Sequence, residues 1–478
     1  MQKKRFYKTQ LMKLLLQLLL YTLLFTAFWA TLSITNIGLH TISRTAVTTL
    51  LTFAVAMGLL TIVYGGFDIG VKKMRSVFAS LSMESFFADI LTYVQLQIMN
   101  TNPQNPQANA HLVLWGEDLA LLAGAFLLQV GIIYFFVVLG NTAYWHINPP
   151  KNCCIITSSE ELARHVAAKM ATFPQKYRLR DVVHYECPDV KKTIRQNEVI
   201  FLAGIPDTEE TMLEAYCYKH NRTMYLLAEL EDVIISTAQQ HVLEDTPFLY
   251  IHRVEPTLYQ RLIKRACDIS VSLLGLILLS PLMLGIAAVL KASGNGSVLF
   301  WQERATLNGN IFKIIKFRTM YEDSANVSVR EGDDRITPVG RFLRKYRLDE
   351  LPQLINVLKG EMSLVGPRPE MLENVERYIR EVPEFRYRQQ MKAGLTGLAQ
   401  IEGKYNTSPK DKAILDLLYI ENFSLGYDFK LLLRTFTVFF RKDSTEGFCD
   451  KPIHCPPMRT APLEEAPEAD GPQMPVAL

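Results

Sequence analysis

Between Tyr259 and Lys442 this sequence has no histidine and a single cysteine, Cys267. That absence removes Ser–His–Asp, Cys–His and histidine-ligated metal chemistry from nearly two hundred residues of charged, otherwise ordinary protein. The seven cysteines of the chain form no Cys-x-x-Cys pair, so neither a zinc ribbon nor a disulfide framework is indicated, and reduced thiols are expected. Cys449, His454 and Cys455 lie close together but in a proline-rich stretch, which is a weak metal signal. A net charge of +3 is too small to indicate a nucleic-acid partner.

Charge is also missing from long parts of the first 150 residues. Residues 14–35 form an uncharged apolar run, and similar runs follow at 46–67 and 119–140. Each is long enough to cross a bilayer as a helix. Residues 77–99 make a fourth, interrupted by Glu84 and Asp89; carboxylates in a membrane are costly and often functional, or else face a neighbouring helix or lie near the interface, which is the favoured expectation. Lys3, Lys4, Arg5 and Lys8 precede the first run, Lys72, Lys73 and Arg75 follow the second, and the loop around 100–111 is uncharged. The positive-inside rule then places the N-terminus and everything after Lys151 in the cytoplasm. This is the pattern of a membrane protein with an N-terminal four-helix transmembrane bundle, residues 1–150.

Residues 151–255 alternate short apolar runs with amphipathic ones: CCIIT, SSEELARHVAAKMA, EVIFLAG, TEETMLEAYCYKH and TMYLLAE. A β–α alternation of this kind predicts a small parallel sheet, an α/β Rossmann-like middle domain. Its first β–α turn, Thr157-Ser158-Ser159, has no glycine, so backbone N–H groups are not freed to meet a pyrophosphate and no dinucleotide is expected.

Residues 269–290 are apolar enough for a fifth span, yet Arg261, Lys264 and Arg265 precede them and Lys291 follows. Pro281, after Ser280, removes a helix hydrogen bond in mid-run and predicts a kink. A re-entrant helix that bends at Ser280-Pro281 and leaves on its side of entry satisfies both features.

What the following residues do contain is carboxylate and arginine, a combination suited to phosphate chemistry. In GRFLRKYRLDELPQL, Asp349 and Glu350 are adjacent, and Pro352 predicts that a helix begins nearby. Arg341, Arg344 and Arg347 recur every three residues, on one face if that segment is helical. Neighbouring helix positions point roughly 100° apart, so one carboxylate can attack while the other holds a metal. Gly366-Pro367-Arg368-Pro369 reads as a rigid turn or a phosphate contact, and Gly394 and Gly397 as turn glycines or nucleotide contacts. Asp333 and Asp334 read as partners of the site or as loop polar residues, and Asp416 and Asp428 as structural. The amphipathic stretch 411–441 fits either the membrane interface or the core. The proline-rich, acidic residues 443–478 are expected to be a disordered tail.

KFRTM (316–320), DDRITPVGRFLR (333–344), LDELPQLINVLKGEMSLVGPRPE (348–370) and GLTGLAQ (394–400), in that order, closely resemble the bacterial sugar transferase family, the polyprenyl-phosphate phosphoglycosyl transferases with one re-entrant membrane helix. KRACD (264–268) and Ser280-Pro281 resemble the membrane-helix motif of that family. The resemblance covers roughly 259–442, and the four spans with a Rossmann-like domain resemble its larger members, which initiate exopolysaccharide or O-antigen repeat units.

The resemblance implies an α-rich monotopic catalytic domain over 256–442. It implies that Asp349 attacks the β-phosphate of a UDP-sugar, expels UMP and carries the sugar phosphate until undecaprenyl (polyprenyl) phosphate takes it. A phosphate leaving group, with a second pKa of about 6, needs little help from a general acid, which suits a module without histidine. It further implies that Glu350 positions Mg²⁺, that Arg344 and Arg368 hold phosphate with Lys316 or Arg318 assisting, and that Lys264 and Arg265 meet the lipid head group. The bacterial inner membrane, a cytoplasmic active site, contact with membrane lipid and a homodimer are implied as well. The alternative is a non-catalytic scaffold or regulator that binds nucleotide sugar; it predicts a substituted acidic pair, whereas Asp349 and Glu350 are both present. A flippase or polymerase would need more spans.

Overall fold

The computed structural model describes residues 2–100, 117–294, 296–321, 334–403, 407–438 and 455–460. Asp333, Cys449, His454, most of the loop around 100–111 and most of the expected tail lie outside the described residues. Four long helices occupy the N-terminal part: α1 (Gln2–Leu32), α2 (Arg44–Tyr64), α3 (Met74–Asn100) and α4 (Glu117–Ile147). Each is long and apolar enough to cross a membrane, as is a fifth helix further on. With the family relationship established below, this is a membrane protein.

The chain divides into two compact units: one holds 1–9, 141–227 and 450–478, and the other 10–140 and 228–449.

In the first unit β1 (Lys151–Thr157), α5 (Glu160–Ala171), β2 (Tyr177–His184), α6 (Val190–Gln196), β3 (Val199–Ala203), α7 (Asp207–Lys219) and β4 (Thr223–Leu226) build a parallel sheet of order β2-β1-β3-β4. Alternation along β1 explains its two covered faces. Cys153 and Ile155 pack with Ala163, Val166 and Met170 of α5. Cys154 and Ile156 pack with Val190 and Ile194 of α6 and Leu213 of α7. Ser159 caps α5 by accepting from the Leu162 amide, which uses the first turn for a cap rather than a phosphate cradle. Cys153, Cys154, Cys217, Cys267 and Cys455 are free thiols.

The second unit continues with α8 (Leu230–Ser236), the hairpin β5 (Gln239–Leu243) and β6 (Thr246–Tyr250), and the 35-residue helix α9 (Leu258–Ala292). Residues 228–255 thus group with this unit: Leu230 and Val233 are buried against Phe385, Ala413 and Leu417. The hairpin β7 (Leu299–Ala305) and β8 (Ile311–Phe317) leads to α10 (Pro338–Lys345), a 3₁₀ turn at Leu348–Glu350, α11 (Gln353–Lys359) and β9 (Ser363–Val365). Then follow α12 (Leu372–Glu381), β10 (Gly394–Thr396), α13 (Leu398–Glu402), α14 (Pro409–Glu421) and α15 (Leu425–Val438). Residues of β8, α11, β9, α14 and α15 share one core, including Phe312, Val357, Leu364, Ile420 and Leu431.

Of the stretch after 411, Leu431 of α15 is fully buried in that core, while the Tyr64 hydroxyl of α2 donates to the Leu433 carbonyl at 2.9 Å and Phe87 of α3 meets Phe436. Glu84 and Asp89 are buried among helices. Glu84 accepts from the Gly66 amide at 3.0 Å and the Tyr21 hydroxyl at 3.2 Å, and Asp89 accepts from Gln129 at 3.0 Å.

Candidate active site

Asp349 and Glu350 sit in the 3₁₀ turn between α10 and α11. The expected helix therefore starts later, at Gln353, with Pro352 supplying the helical φ of its entry. The arginine row is also interrupted. Arg341 and Arg344 lie on α10, but Arg347 follows its end with φ +53°, a left-handed conformation uncommon for a residue with a side chain. That kink turns the chain so that the two acids face β8 instead of continuing α10.

The carboxylates have opposite surroundings. Glu350 Oε1 accepts from Lys316 Nζ at 3.1 Å and from Arg368 Nη2 at 3.0 Å. Burial would raise its pKa, but Lys316, Arg368 and Arg347 outweigh burial and hold it below the usual carboxylate range. Asp349 is 8 % exposed and takes part in no ion pair among the described residues. Burial and the adjacent Glu350 charge push it above the usual range, against the opposing pull of Lys316, Arg344 and Arg368. One acid is thus clamped and ionised. The other is left unpaired in a cationic setting.

Three elements hold this geometry. Lys316 is on β8, and β8 is tied to α11 by Asn356, whose side chain accepts from the Ile315 amide at 3.0 Å and donates to the Lys313 carbonyl at 2.8 Å. Arg368 comes from the turn after β9. That turn packs backbone on backbone with the strand that begins GLTGLAQ: the Gly366 amide donates to Thr396 and the Gly394 amide to Pro367. A Cβ on Gly366 would lie 2.2 Å from the Lys392 carbonyl, and one on Gly394 would lie 2.1 Å from the Gly366 nitrogen. Close approach of the two backbones requires glycine at both positions.

Arg388 completes the support. Buried at 6 % exposure, it pairs with Asp416 at 2.6 Å and donates to the Arg368 carbonyl at 2.7 Å. Nearby, Arg304 donates to the Pro369 carbonyl and Lys412 pairs with Glu370. Arg304, Asn356, Arg388 and Lys412 were not singled out from sequence. A buried asparagine in the apolar run LINVLK was the one signal available.

Lys316 and Arg368 therefore converge on the acidic pair, with Arg344 close enough to act on Asp349 electrostatically. The other expected contacts lie elsewhere. Arg318 is buried and donates to the Leu290 carbonyl at the end of α9. Lys264 donates to the Val365 carbonyl at 2.9 Å and pairs with Asp428. Arg265 donates to the Val357 and Leu358 carbonyls, both at 2.7 Å, capping α11. Asp268 accepts from Ser363 and from the Leu364 amide. The Ser280 hydroxyl is spent on the Ile277 carbonyl, and Pro281 lies inside α9.

Residues 259–442 match the family described as bacterial sugar transferase. Over 179 residues the chain is 41 % identical to a UDP-N-acetylgalactosamine-undecaprenyl-phosphate N-acetylgalactosaminephosphotransferase of Aeromonas hydrophila, covering 36 % of this chain and 42 % of that protein. It is 43 % identical over 180 residues to a UDP-glucose:undecaprenyl-phosphate glucose-1-phosphate transferase of Caulobacter vibrioides, covering 36 % and 67 %. It is 38 % identical over 190 residues to the exopolysaccharide production protein ExoY of Sinorhizobium fredii, covering 36 % and 83 %. The match spans less than half of the Aeromonas protein, but most of the Sinorhizobium one. With the motif-bearing part, 36 % of this chain, aligned over 83 % of that shorter relative, the chain belongs to the bacterial sugar transferase family.

Proposed function

We propose that this chain transfers a hexose-1-phosphate from a UDP-sugar to undecaprenyl phosphate, releasing UMP and initiating a polysaccharide repeat unit. The observation that carries this reading is the division of labour between two adjacent carboxylates, half-buried Glu350 held by Lys316 and Arg368 and buried Asp349 left unpaired beside them. An unpaired carboxylate among cations is a nucleophile for a phosphorus centre whose own negative charge those cations offset. An Asp349 oxygen bonds to the β-phosphorus, the bond to the UMP oxygen breaks, and UMP leaves. A phosphate oxygen of the lipid then displaces Asp349 from the same phosphorus. Arg368 and Arg344 hold the anionic oxygens through both exchanges.

A magnesium ion suits this donor set. Both contacts of Glu350 with cations fall on Oε1, which leaves Oε2 for a hard, oxygen-seeking ion that substrate phosphates and water would also ligate. When bound, it would neutralise diphosphate charge.

The contacts of α9 support a membrane arrangement. Straight, its 35 residues would extend about 52 Å. Yet its first arm is fastened to α11 and β9 by Arg265 and Asp268, and its second arm packs through Ile286 and Leu290 on Phe317 and Leu343 of the same module. Between the arms Ile277, Leu278 and Leu284 are more than 60 % exposed. These contacts favour a re-entrant helix with an apolar tip in lipid, and with it a monotopic catalytic domain on the cytoplasmic face of the inner membrane. The parallel sheet of the first unit is read as Rossmann-like without dinucleotide, the four N-terminal helices as a transmembrane bundle, and a homodimer as the assembly.

The test uses purified protein in lipid, undecaprenyl phosphate, Mg²⁺ and a panel of UDP-sugars that includes glucose and N-acetylgalactosamine donors, the sugars named in two relatives. Lipid-dependent UMP release that Asp349→Ala abolishes is expected. Release that survives in that variant, or turnover with no sugar, overturns the reading.

A further inference from the structure

At the outer edge of β2 a later part of the chain returns to the parallel sheet. β2 is an edge strand, paired on its inner side with β1. On its outer side the Arg459 amide donates to the Val182 carbonyl at 2.9 Å, and the His184 amide donates to the Arg459 carbonyl at 3.0 Å. This is a parallel bridge between Val183 and Arg459. The Arg459 guanidinium reaches across to Thr193 Oγ1 at 2.8 Å, a hydroxyl on α6 that is itself fully buried. Cys455 and Met458 pack on the cluster formed by α5 and the sheet. Main chain, charged side chain and apolar side chains are therefore all engaged by six residues of a segment whose composition predicted disorder.

We propose that the β2 edge and Thr193 form a docking groove for an extended Pro-Pro-apolar-Arg segment, and that Cys455–Thr460 of the same chain fills it as a C-terminal latch. The segment is built for this. Pro456 and Pro457 hold it extended before it reaches the sheet, which lowers the entropy lost on docking. Neither has an N–H, so the ladder cannot slide toward them, and Arg459 sets the register. Main-chain pairing supplies adhesion and the side-chain contacts supply selectivity, the division of roles in strand addition. In place, the latch covers a sheet edge that would otherwise offer unpaired N–H and C=O groups to another chain.

Hydrogen exchange on the full-length protein in lipid tests this. The amides of Arg459 and His184 are expected to exchange at least about tenfold more slowly than unstructured amides, because their bonds must open first. Removing residues 450–478 is expected to speed His184 exchange at least about tenfold while leaving β1 and β3 unchanged. Arg459→Pro, which removes the N–H that meets Val182 and the guanidinium that reaches Thr193, is expected to do the same and serves if the truncated chain does not fold. Exchange of Arg459 at the unstructured rate in the full chain, or a His184 rate indifferent to both changes, overturns the latch. Protection that grows with protein concentration assigns the segment to a second copy and overturns its action within one chain.

Discussion

The protein buries two acidic pairs, and they are solved in opposite ways. Glu84 and Asp89, on α3, are met by neutral donors: a tyrosine hydroxyl, a backbone amide and a glutamine. Glu350 is met by Lys316 and Arg368, and Asp349 lies unpaired in the same cationic surround, with Arg344 and Arg347 acting on the pair. Neutral donors satisfy a carboxyl group but build no site for an anionic ligand. A cationic surround does, and it leaves charge over for the phosphates. Burial of an acid therefore says little about its work until the charge of its neighbours is known.

The sharpest way to break the comparison is the same substitution in both places. Asp349→Asn removes the nucleophile while keeping shape and burial. Lipid-dependent UMP release is expected to fall at least about 10³-fold, because no second carboxylate is free to replace it. Comparable loss from a change at Asp89 would erase the distinction.

A somewhat smaller effect is expected behind the site. Arg388 and Asp416 are buried together, and Arg388 also holds the Arg368 carbonyl. Arg388→Ala leaves Asp416 buried without its partner and is expected to cost about 3–5 kcal/mol, read as a lowered unfolding midpoint. Arg388→Lys keeps the charge but loses the second contact. It is expected to retain most stability and to lower kcat more than it raises KM, since Arg368 is mispositioned. Equal loss of stability in both variants would reduce Arg388 to packing alone.

Acidity separates the members of the active pair. Asp349 attacks only when deprotonated, and burial together with the Glu350 charge raises its pKa. The acid limb of kcat/KM is therefore expected above the ordinary aspartate value of about 3.9. Glu350→Gln removes the repelling anion and releases two cations, both of which favour the charged form of Asp349. Residual activity in that variant should lose its acid limb toward lower pH. A limb that stays put or moves upward would contradict the assignment of the pair.

Much of this was legible because the decisive features are local. Four spans, the β–α alternation and the acidic pair all stand in short windows, and α9 shows its apolar middle and basic ends in a single run. What escaped depends on contacts between distant residues. β2 alternates with Arg178, Arg180 and Asp181, so its apolar signal is weak. Arg388 and Asp416 acquire meaning only when the 3₁₀ segment Pro383–Gln390 and α14 bring them together. Lys264 and Arg265, basic residues at the edge of an apolar run, were expected at lipid head groups, yet they meet backbone carbonyls of α11 and β9. Charge beside a membrane segment can be read from sequence, but not whether protein or lipid receives it.

The smallest effect is expected in the membrane helices. Asp89→Asn retains an oxygen to accept from Gln129, and Glu84→Gln retains one for the Gly66 amide, while the Tyr21 hydroxyl, which loses Oε2, still has Thr61 Oγ1 at 2.6 Å as a partner. Each replaces a buried carboxyl group with a neutral isostere among neutral partners, where little charge interaction is lost. UMP release is expected to stay within about threefold of the parent for either variant. Alanine at Asp89 should do more harm than asparagine, because Gln129 would lose its acceptor while still tied to the Leu24 carbonyl and to Ser85. If asparagine were as damaging as alanine, charge rather than hydrogen bonding would be what α3 supplies, and the two acidic pairs would be more alike than their neighbours indicate.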